Sequence, residues 1–168
     1  MRFILVDEIL EMIPGKTIRA LKKISAEEDF FKDHFPGFPV VPGVLLTEMM
    51  AQTAGKCLDA EKKHPGKAML ARITSANFRE WVRPDQTAII HAEIKTNRDK
   101  FATAKCNIEV MSKQVCSAEL FFTFAPLFMF GCKDCTFVYK VVNFWSVYTS
   151  RSIFTKGNRI NIKIFSEF

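Results

Sequence analysis

The feature that most constrains the fold is an almost entirely apolar helix in the first half of the chain. From Pro42 onwards, apolar residues recur at positions that cover most of a helix surface, which leaves hardly any polar face until Asp59. A helix that is apolar on nearly all sides has to be buried, so any sheet in the same domain must surround it. Between Phe35 and Gly55 the only charged residue is Glu48. A carboxylate is costly to bury there unless it has a proton, a partner or a chemical task.

The rest of the chain has the pattern of strands. A first strand is predicted at 17–25, after a turn at 13–16. Four strand-like stretches follow a loop at 62–66, and three of them alternate apolar and polar residues, at 90–95, 102–110 and 116–124. The polar turns at 97–100 and 112–113 leave room only for hairpins, so these strands should be antiparallel. We therefore predict an α+β domain in which an antiparallel sheet wraps around one long central helix.

Composition narrows the class of protein. The chain has 168 residues, enough for one core of ordinary size, and its 48% hydrophobic and 25% charged residues are typical of a globular domain. The net charge of +6 favours an acidic protein or a phosphorylated carrier as partner. Basic and aromatic residues are not interleaved in the manner of a nucleic-acid-binding surface, so no nucleic-acid partner is expected.

The cysteines and the apolar segments bear on location. Five cysteines at irregular spacing fit a reducing compartment better than a disulfide framework. The opening MRFILVDEILEM has acidic residues where a secretory signal would have an apolar core. The longest apolar stretch near the end, 120–130, is shorter than the roughly 18 residues of a membrane span and contains Thr123 and Pro126. We expect a cytoplasmic protein without a membrane span.

One segment carries a family resemblance. The residues at 34–52, HFPGFPVVPGVLLTEMMAQ, closely resemble the signature of the FabZ-type beta-hydroxyacyl-acyl-carrier-protein dehydratases. The resemblance runs from about Phe3 to about Ala125, and LVDEILEMIPGK is similar to the opening of that family. It implies a hot-dog fold, in agreement with the predicted layout. It also implies a hydro-lyase that converts 3-hydroxyacyl-[acyl-carrier protein] to trans-2-enoyl-[acyl-carrier protein] in fatty-acid elongation.

The resemblance assigns roles to individual residues. The reaction needs a base for the C2 proton and an acid for the hydroxyl that leaves C3; His34 matches the family's base and Glu48 its acid. Burial in an apolar pocket would raise the pKa of the Glu48 carboxyl, so that it can hold a proton for the leaving hydroxyl or orient a water. The Gly43 N–H, at a helix start, corresponds to the amide that binds the thioester oxygen, and the Val40 carbonyl accepts a hydrogen bond from the imidazole. Gln52, one turn after Glu48, is predicted to hydrogen-bond a site group or that carboxylate.

The resemblance also predicts partners and assembly. No cofactor is implied, because the substrate is carried on the phosphopantetheine of acyl carrier protein. Family members form dimers whose histidine and acid come from different subunits, so we expect His34 to meet Glu48 of a partner chain; dimer and trimer of dimers both stay open. Glutamate at position 48 is similar to the FabZ branch, which does not isomerise the double bond. Six basic residues are candidates for contact with the carrier or for plain solvated surface: Lys62, Lys63, Arg79, Arg83, Arg98 and Lys100.

The end of the chain departs from the family. We assign 1–125 to the hot-dog dehydratase domain and 126–168 to an extension that holds seven of the 17 phenylalanines. Cys132 and Cys135 form one CxxC pair, which supplies half of the ligands of a structural zinc site, so no metal site is predicted. Two other functions stay open for the domain, an acyl thioesterase of the same fold and a non-catalytic module that binds acyl thioesters.

Overall fold

The computed structural model describes residues 3–64 and 66–126. In this part of the chain lie six strands, one α-helix and a short 3-10 turn. They are β1 Glu8–Ile13, β2 Thr17–Lys23, the 3-10 turn Asp29–Lys32, α1 Gly43–Glu61, β3 Gly66–Phe78, β4 Thr87–Asn97, β5 Phe101–Val110 and β6 Lys113–Pro126. The predicted extension 126–168 lies outside the described residues, apart from Pro126 at the end of β6.

The strands form one antiparallel sheet around the helix. Their order is β1-β2-β4-β5-β6-β3, and every neighbouring pair is antiparallel. The helix α1 packs against β2, β3, β4, β5 and β6. The predicted hairpins join β4 to β5 and β5 to β6; in the second one, Met111 and Ser112 have φ of 50° and 62°, as a tight two-residue turn requires. The predicted α+β layout is confirmed.

The helix forms the centre of the core, as its apolar composition requires. Met49, Met50, Ala54, Cys57 and Leu58 are each at most 1% exposed. They meet the inward-facing residues of the sheet, among which the most completely covered large side chains are Ile90, Ile108, Leu120 and Phe122. The alternation in β4 and β5 therefore marks the face that packs on α1. The helix begins at Gly43, and Pro42 is the residue that precedes its first turn.

One strand was not predicted. β1 Glu8–Ile13 precedes the strand that sequence analysis took as the first, and it pairs with β2 at the edge of the sheet. All 6 of its residues are exposed, so its sequence EILEMI shows no alternation that would identify a strand. Within residues 3–64 and 66–126, no helix is long and apolar enough to cross a membrane.

Candidate active site

The imidazole of His34 is held by the backbone around it. The His34 N–H donates to the Phe30 carbonyl over 3.0 Å, and the Val40 N–H donates to the His34 carbonyl over 3.0 Å. The side-chain Nδ1 lies 3.0 Å from the Val40 oxygen, which is the hydrogen bond that the resemblance predicts. A carbonyl oxygen only accepts, so Nδ1 carries the proton and the Nε2 of the neutral ring has a free lone pair. The ring also stacks on Phe35, with centroids 4.0 Å apart, across a cis peptide bond.

The residues between His34 and α1 form a tight, fixed loop. Phe35 and Phe38 exchange two backbone hydrogen bonds of 3.1 and 2.9 Å. Gly37, inside this turn, has φ of 78°, a conformation that glycine adopts without steric cost. The Val41 N–H donates to the Val82 carbonyl over 2.8 Å, which attaches the end of the loop to the chain between β3 and β4. The loop thus fixes the histidine relative to the start of the helix.

The start of α1 offers free backbone donors. Within the described chain, the N–H groups of Gly43 and Val44 have no acceptor, as expected for the first turn of a helix. The first turn contains no acidic side chain that would neutralise the positive end of the helix dipole. The face of Gly43 is covered by Phe78, and a Cβ at residue 43 would lie 3.1 Å from two carbons of that ring. Glycine is therefore the residue that fits without displacing Phe78.

Glu48 and Gln52 lie one turn apart on α1. Burial raises the pKa of the half-buried Glu48 carboxyl, and the hydrogen bond from Gln52 acts in the opposite direction. Gln52 Nε2 donates to Glu48 Oε1 over 3.1 Å, so the predicted contact between the two side chains is present. No lysine, arginine or histidine in the described ranges forms an ion pair with Glu48. Burial thus favours the protonated form of this carboxyl more than in an exposed glutamate.

One chain brings together only part of the predicted site. His34, Val40 and Gly43 are neighbours around the loop and the start of α1. Between His34 and Glu48 of the same chain the described residues show no hydrogen bond and no ion pair within 4.0 Å. Met49 and Met50, on the same helix as Glu48, are part of the core of the single chain.

An exposed apolar surface surrounds this end of the helix. It consists of Phe35, Phe38, Val44, Phe78 and Trp81, which we call the aromatic patch, and its members are between 43% and 65% exposed. Trp81 meets Phe38 edge-on, with centroids 6.1 Å apart. Phe78 and Trp81 were not predicted as site residues, since Phe78 ends β3 and Trp81 lies in the segment between β3 and β4, which has no periodicity.

The six basic residues predicted as carrier contacts fall into two groups. Arg79 and Arg83 flank Trp81, and the Arg83 guanidinium lies 5.1 Å from the centre of the Phe38 ring. Lys62 and Lys63 follow the other end of α1, where Lys63 donates to the Asn97 carbonyl over 2.7 Å. An open depression at that far end also includes Arg98 and Lys100. No metal-binding cluster of His, Cys, Asp or Glu occurs within 3–64 and 66–126; Cys132 and Cys135 lie outside those ranges.

Comparison with known proteins decides the family. The FabA-like domain matches residues 1–119. The chain belongs to the FabA-like family. It is 42% identical over 118 residues to the 3-hydroxyacyl-[acyl-carrier-protein] dehydratase FabZ of Lactobacillus helveticus. These residues make up 70% of this chain and 80% of the relative. Against the FabZ of Listeria welshimeri it is 37% identical over 126 residues, 74% of this chain and 88% of the relative. The predicted membership among FabZ-type dehydratases is confirmed.

Solved structures similar to this FabA-like chain share its fold. The dehydratase heterocomplex ApeI:P from Xenorhabdus doucetiae has a TM-score of 0.60 at 15% identity. The superposed region covers 84% of this chain and 90% of the matched chain of that complex. A hypothetical thioesterase from Streptococcus pneumoniae with coenzyme A has a TM-score of 0.57 at 14% identity, over 71% of this chain and 88% of its own. At these identities the likeness concerns the fold alone, and the predicted hot-dog fold is confirmed.

Proposed function

We propose that this protein dehydrates 3-hydroxyacyl-[acyl-carrier protein] to trans-2-enoyl-[acyl-carrier protein] in fatty-acid elongation, with His34 as base and Glu48 as acid. The observation that carries the proposal is the 3.0 Å contact between His34 Nδ1 and the Val40 oxygen, beside the free N–H of Gly43. That contact leaves Nε2 as the proton acceptor, and the adjacent helix start offers a donor for a developing negative charge. The FabZ-named relatives support the same reaction.

The chemistry follows from these groups. His34 Nε2 removes the C2 proton of the 3-hydroxyacyl thioester, and the Gly43 N–H donates a hydrogen bond to the thioester oxygen, on which negative charge develops. Protonated Glu48 gives its proton to the C3 hydroxyl, the C3–O bond breaks, and water leaves as the C2–C3 double bond forms. Glu48 is then a carboxylate and His34 an imidazolium. Transfer of one proton from the imidazolium to the carboxylate, through solvent, restores both groups.

The active site is proposed to be shared between two copies of the chain. Two features of the described residues support this. His34 and Glu48 of one chain form no hydrogen bond and no ion pair with each other, and the reaction needs both at one substrate. In addition β3 is a 13-residue strand that pairs only with β6, so its other edge has unpaired backbone groups. A second copy that pairs along β3 would extend the sheet at the strand that ends in Phe78, a member of the aromatic patch. Whether such dimers assemble further into a trimer of dimers stays a prediction.

Acyl carrier protein is the proposed partner that delivers the substrate. Arg79 and Arg83 are exposed beside the aromatic patch, at the same end of α1 as Gly43, whereas Lys62, Lys63, Arg98 and Lys100 lie at the opposite end. Arginine pairs well with phosphate, and the net charge of +6 favours an acidic partner. We therefore assign the phosphopantetheine phosphate and the carrier surface to Arg79 and Arg83. The reaction requires no other cofactor, and the cytoplasm remains the predicted location.

The test is an assay of purified protein with 3-hydroxyacyl-carrier substrates of several chain lengths, and with crotonyl thioester in the reverse direction. His34→Ala and Glu48→Gln should each lower turnover by about 10²- to 10⁴-fold. Matched controls are His91→Ala and Glu93→Gln, because both residues are on the outer face of β4, where Glu93 pairs with Lys95. Wild-type rates in the first two variants would refute the mechanism. Release of free thiol would indicate a thioesterase, and binding without turnover an acyl-thioester-binding module.

A further inference from the structure

The segment at 3–5, before β1, contacts α1 at Gln52, one turn after the proposed acid Glu48. The Leu5 N–H donates to Gln52 Oε1 over 3.0 Å. Gln52 Nε2 donates to the Phe3 carbonyl over 3.2 Å and to Glu48 Oε1 over 3.1 Å. Every polar atom of the Gln52 side chain is therefore engaged, and two of its three contacts are with the backbone of the 3–5 segment.

These contacts determine which way the Gln52 amide faces. A backbone N–H can only donate, so the atom opposite Leu5 has to be the oxygen of the amide. A backbone carbonyl can only accept, so the group opposite Phe3 has to be the NH2. The second hydrogen of that NH2 is then directed to Glu48 Oε1. If the amide rotated by half a turn, it would place its oxygen against both the Phe3 carbonyl and the carboxylate, and its NH2 against the Leu5 N–H.

The 3–5 segment is itself fixed to the fold. Leu5 is 2% exposed and belongs to the core, and Val6 is also buried. The Asp7 N–H donates to the Leu21 carbonyl over 2.9 Å. The Asp7 carboxylate accepts from Lys22 Nζ over 2.9 Å and from the Lys23 N–H over 2.8 Å. The backbone groups that face Gln52 are thus held by packing on one side and by β2 on the other.

We propose that the backbone of residues 3–5 is a positioning element of the active site, which holds the Gln52 amide in the one orientation that donates to Glu48. This inference rests on the proposed role of Glu48 and adds to it a function for a segment that precedes the first strand. Gln52 acts on the reaction through Glu48, so it is a positioning residue. The hydrogen bond fixes the rotamer of the acid and stabilises the carboxylate that proton transfer leaves behind.

The charged groups around Glu48 make this contact important. No cation in the described part of the chain pairs with Glu48, and Asp7, the acid that follows the 3–5 segment in sequence, is engaged by Lys22. Burial raises the pKa of Glu48, and the hydrogen bond from Gln52 is the influence that lowers it. Loss of the correct amide orientation should therefore raise the pKa further. Because dehydration needs protonated Glu48, the basic limb of the pH–rate profile should move to higher pH.

The experiment compares two variants at Leu5 in the full chain. Leu5→Pro removes the N–H that faces Gln52, whereas Leu5→Ala removes more of the buried side chain and keeps the N–H. Both should lose stability, but only Leu5→Pro should move the basic limb of kcat/KM upward, with kcat about 10- to 100-fold below that of Leu5→Ala. Equal kcat and equal basic limbs in the two variants would overturn the proposal, because a purely structural role of the segment predicts that result.

A second measurement does not depend on turnover or on the folding of Leu5→Pro. Hydrogen exchange of the Leu5 amide is followed by NMR in the wild-type protein and in Gln52→Leu, and the Glu48 carboxyl is titrated by carbon NMR in both. In the wild type we expect the Leu5 amide to be protected from exchange and the Glu48 pKa to be lower than in Gln52→Leu. In the variant the protection should be lost and the Glu48 pKa should be higher. A Leu5 amide that exchanges equally fast in both proteins would overturn the proposal. Absence of dehydratase activity in the wild type would refute the proposed function alone.

Discussion

The clearest perturbation of the proposed site is a single methyl group at Gly43. Gly43 has no left-handed φ, so alanine is compatible with its backbone conformation. The new Cβ would be 3.1 Å from two carbons of the Phe78 ring, a few tenths of an ångström closer than ordinary contact. Phe78 is 50% exposed and has room to shift. We therefore expect the free energy of unfolding of Gly43→Ala to stay within about 1 kcal/mol of the wild type.

Activity should respond much more strongly than stability. If the Gly43 N–H donates a hydrogen bond to the thioester oxygen, the methyl group and the displaced ring both obstruct the approach of that oxygen. Loss of one such donor typically lowers turnover by about 10²- to 10³-fold, and we predict a loss of kcat/KM in that range. Turnover is measured as the hydration of crotonyl thioester, and stability is measured by urea unfolding of the same preparation.

Gly55→Ala is the matched control, because it is the same substitution in the same helix. The nearest atom to a Cβ at residue 55 is the Ala68 oxygen at 4.0 Å, so the methyl group fits. This variant should gain about 0.5–1 kcal/mol of stability, as alanine does over glycine in a helix, and should keep wild-type turnover. Wild-type turnover in Gly43→Ala, or an equal loss in both variants, would refute the role given to the Gly43 amide.

Other predictions follow from burial and backbone conformation. In urea unfolding, Glu48→Gln should stabilise the protein increasingly as pH rises from the ordinary glutamate pKa of 4.5 through the raised pKa of the folded state, because a carboxyl whose folded pKa is raised contributes stability only while protonated; a pH-independent difference would contradict this. Phe122→Ala should cost about 3–5 kcal/mol in the same assay, since the ring is 1% exposed in the core; a loss below 1 kcal/mol would contradict its placement. Burial raises the pKa of Cys106 and Cys116 to about 12, so alkylation monitored by mass spectrometry should spare both until the protein unfolds; rapid labelling of the native protein would contradict it. Gly37→Ala should lower the free energy of unfolding by about 1–2 kcal/mol, because φ of 78° is unfavourable for alanine even though the space around the new methyl group is open. Unchanged thermal unfolding would contradict that.

Much of the fold could be predicted because its main signals are local. The apolar run after Pro42 marks α1, and the alternation at 90–95 and 102–110 marks β4 and β5 with the correct inward face. The loop from His34 to Val40 was predicted through a resemblance and not from physics alone, and its hydrogen bond is present. These features depend on residues that are close in sequence, where spacing constrains the geometry strongly.

The features that were missed depend on contacts between distant residues. β1 is an edge strand exposed on both faces, so burial leaves no periodic trace in its sequence. The contacts of Gln52 with Phe3 and Leu5 join residues 49 and 47 positions apart. Phe78 reaches Gly43 through a register of β3 on β6 that contains two irregularities. The sequence alone does not indicate where such irregularities occur, and each one changes which residues of β3 and β6 lie opposite each other.

A mixing experiment tests the central claim most directly, that His34 and Glu48 are the base and acid of one dehydratase site formed by two chains. His34→Ala and Glu48→Gln, each inactive alone, are unfolded together, refolded in equal amounts and assayed with 3-hydroxybutyryl-[acyl-carrier protein]. Half of the dimers should contain one chain of each kind, with one of their two sites intact, so about a quarter of the wild-type rate should return. Folded mixed dimers that remain as inactive as the separate variants would contradict the account.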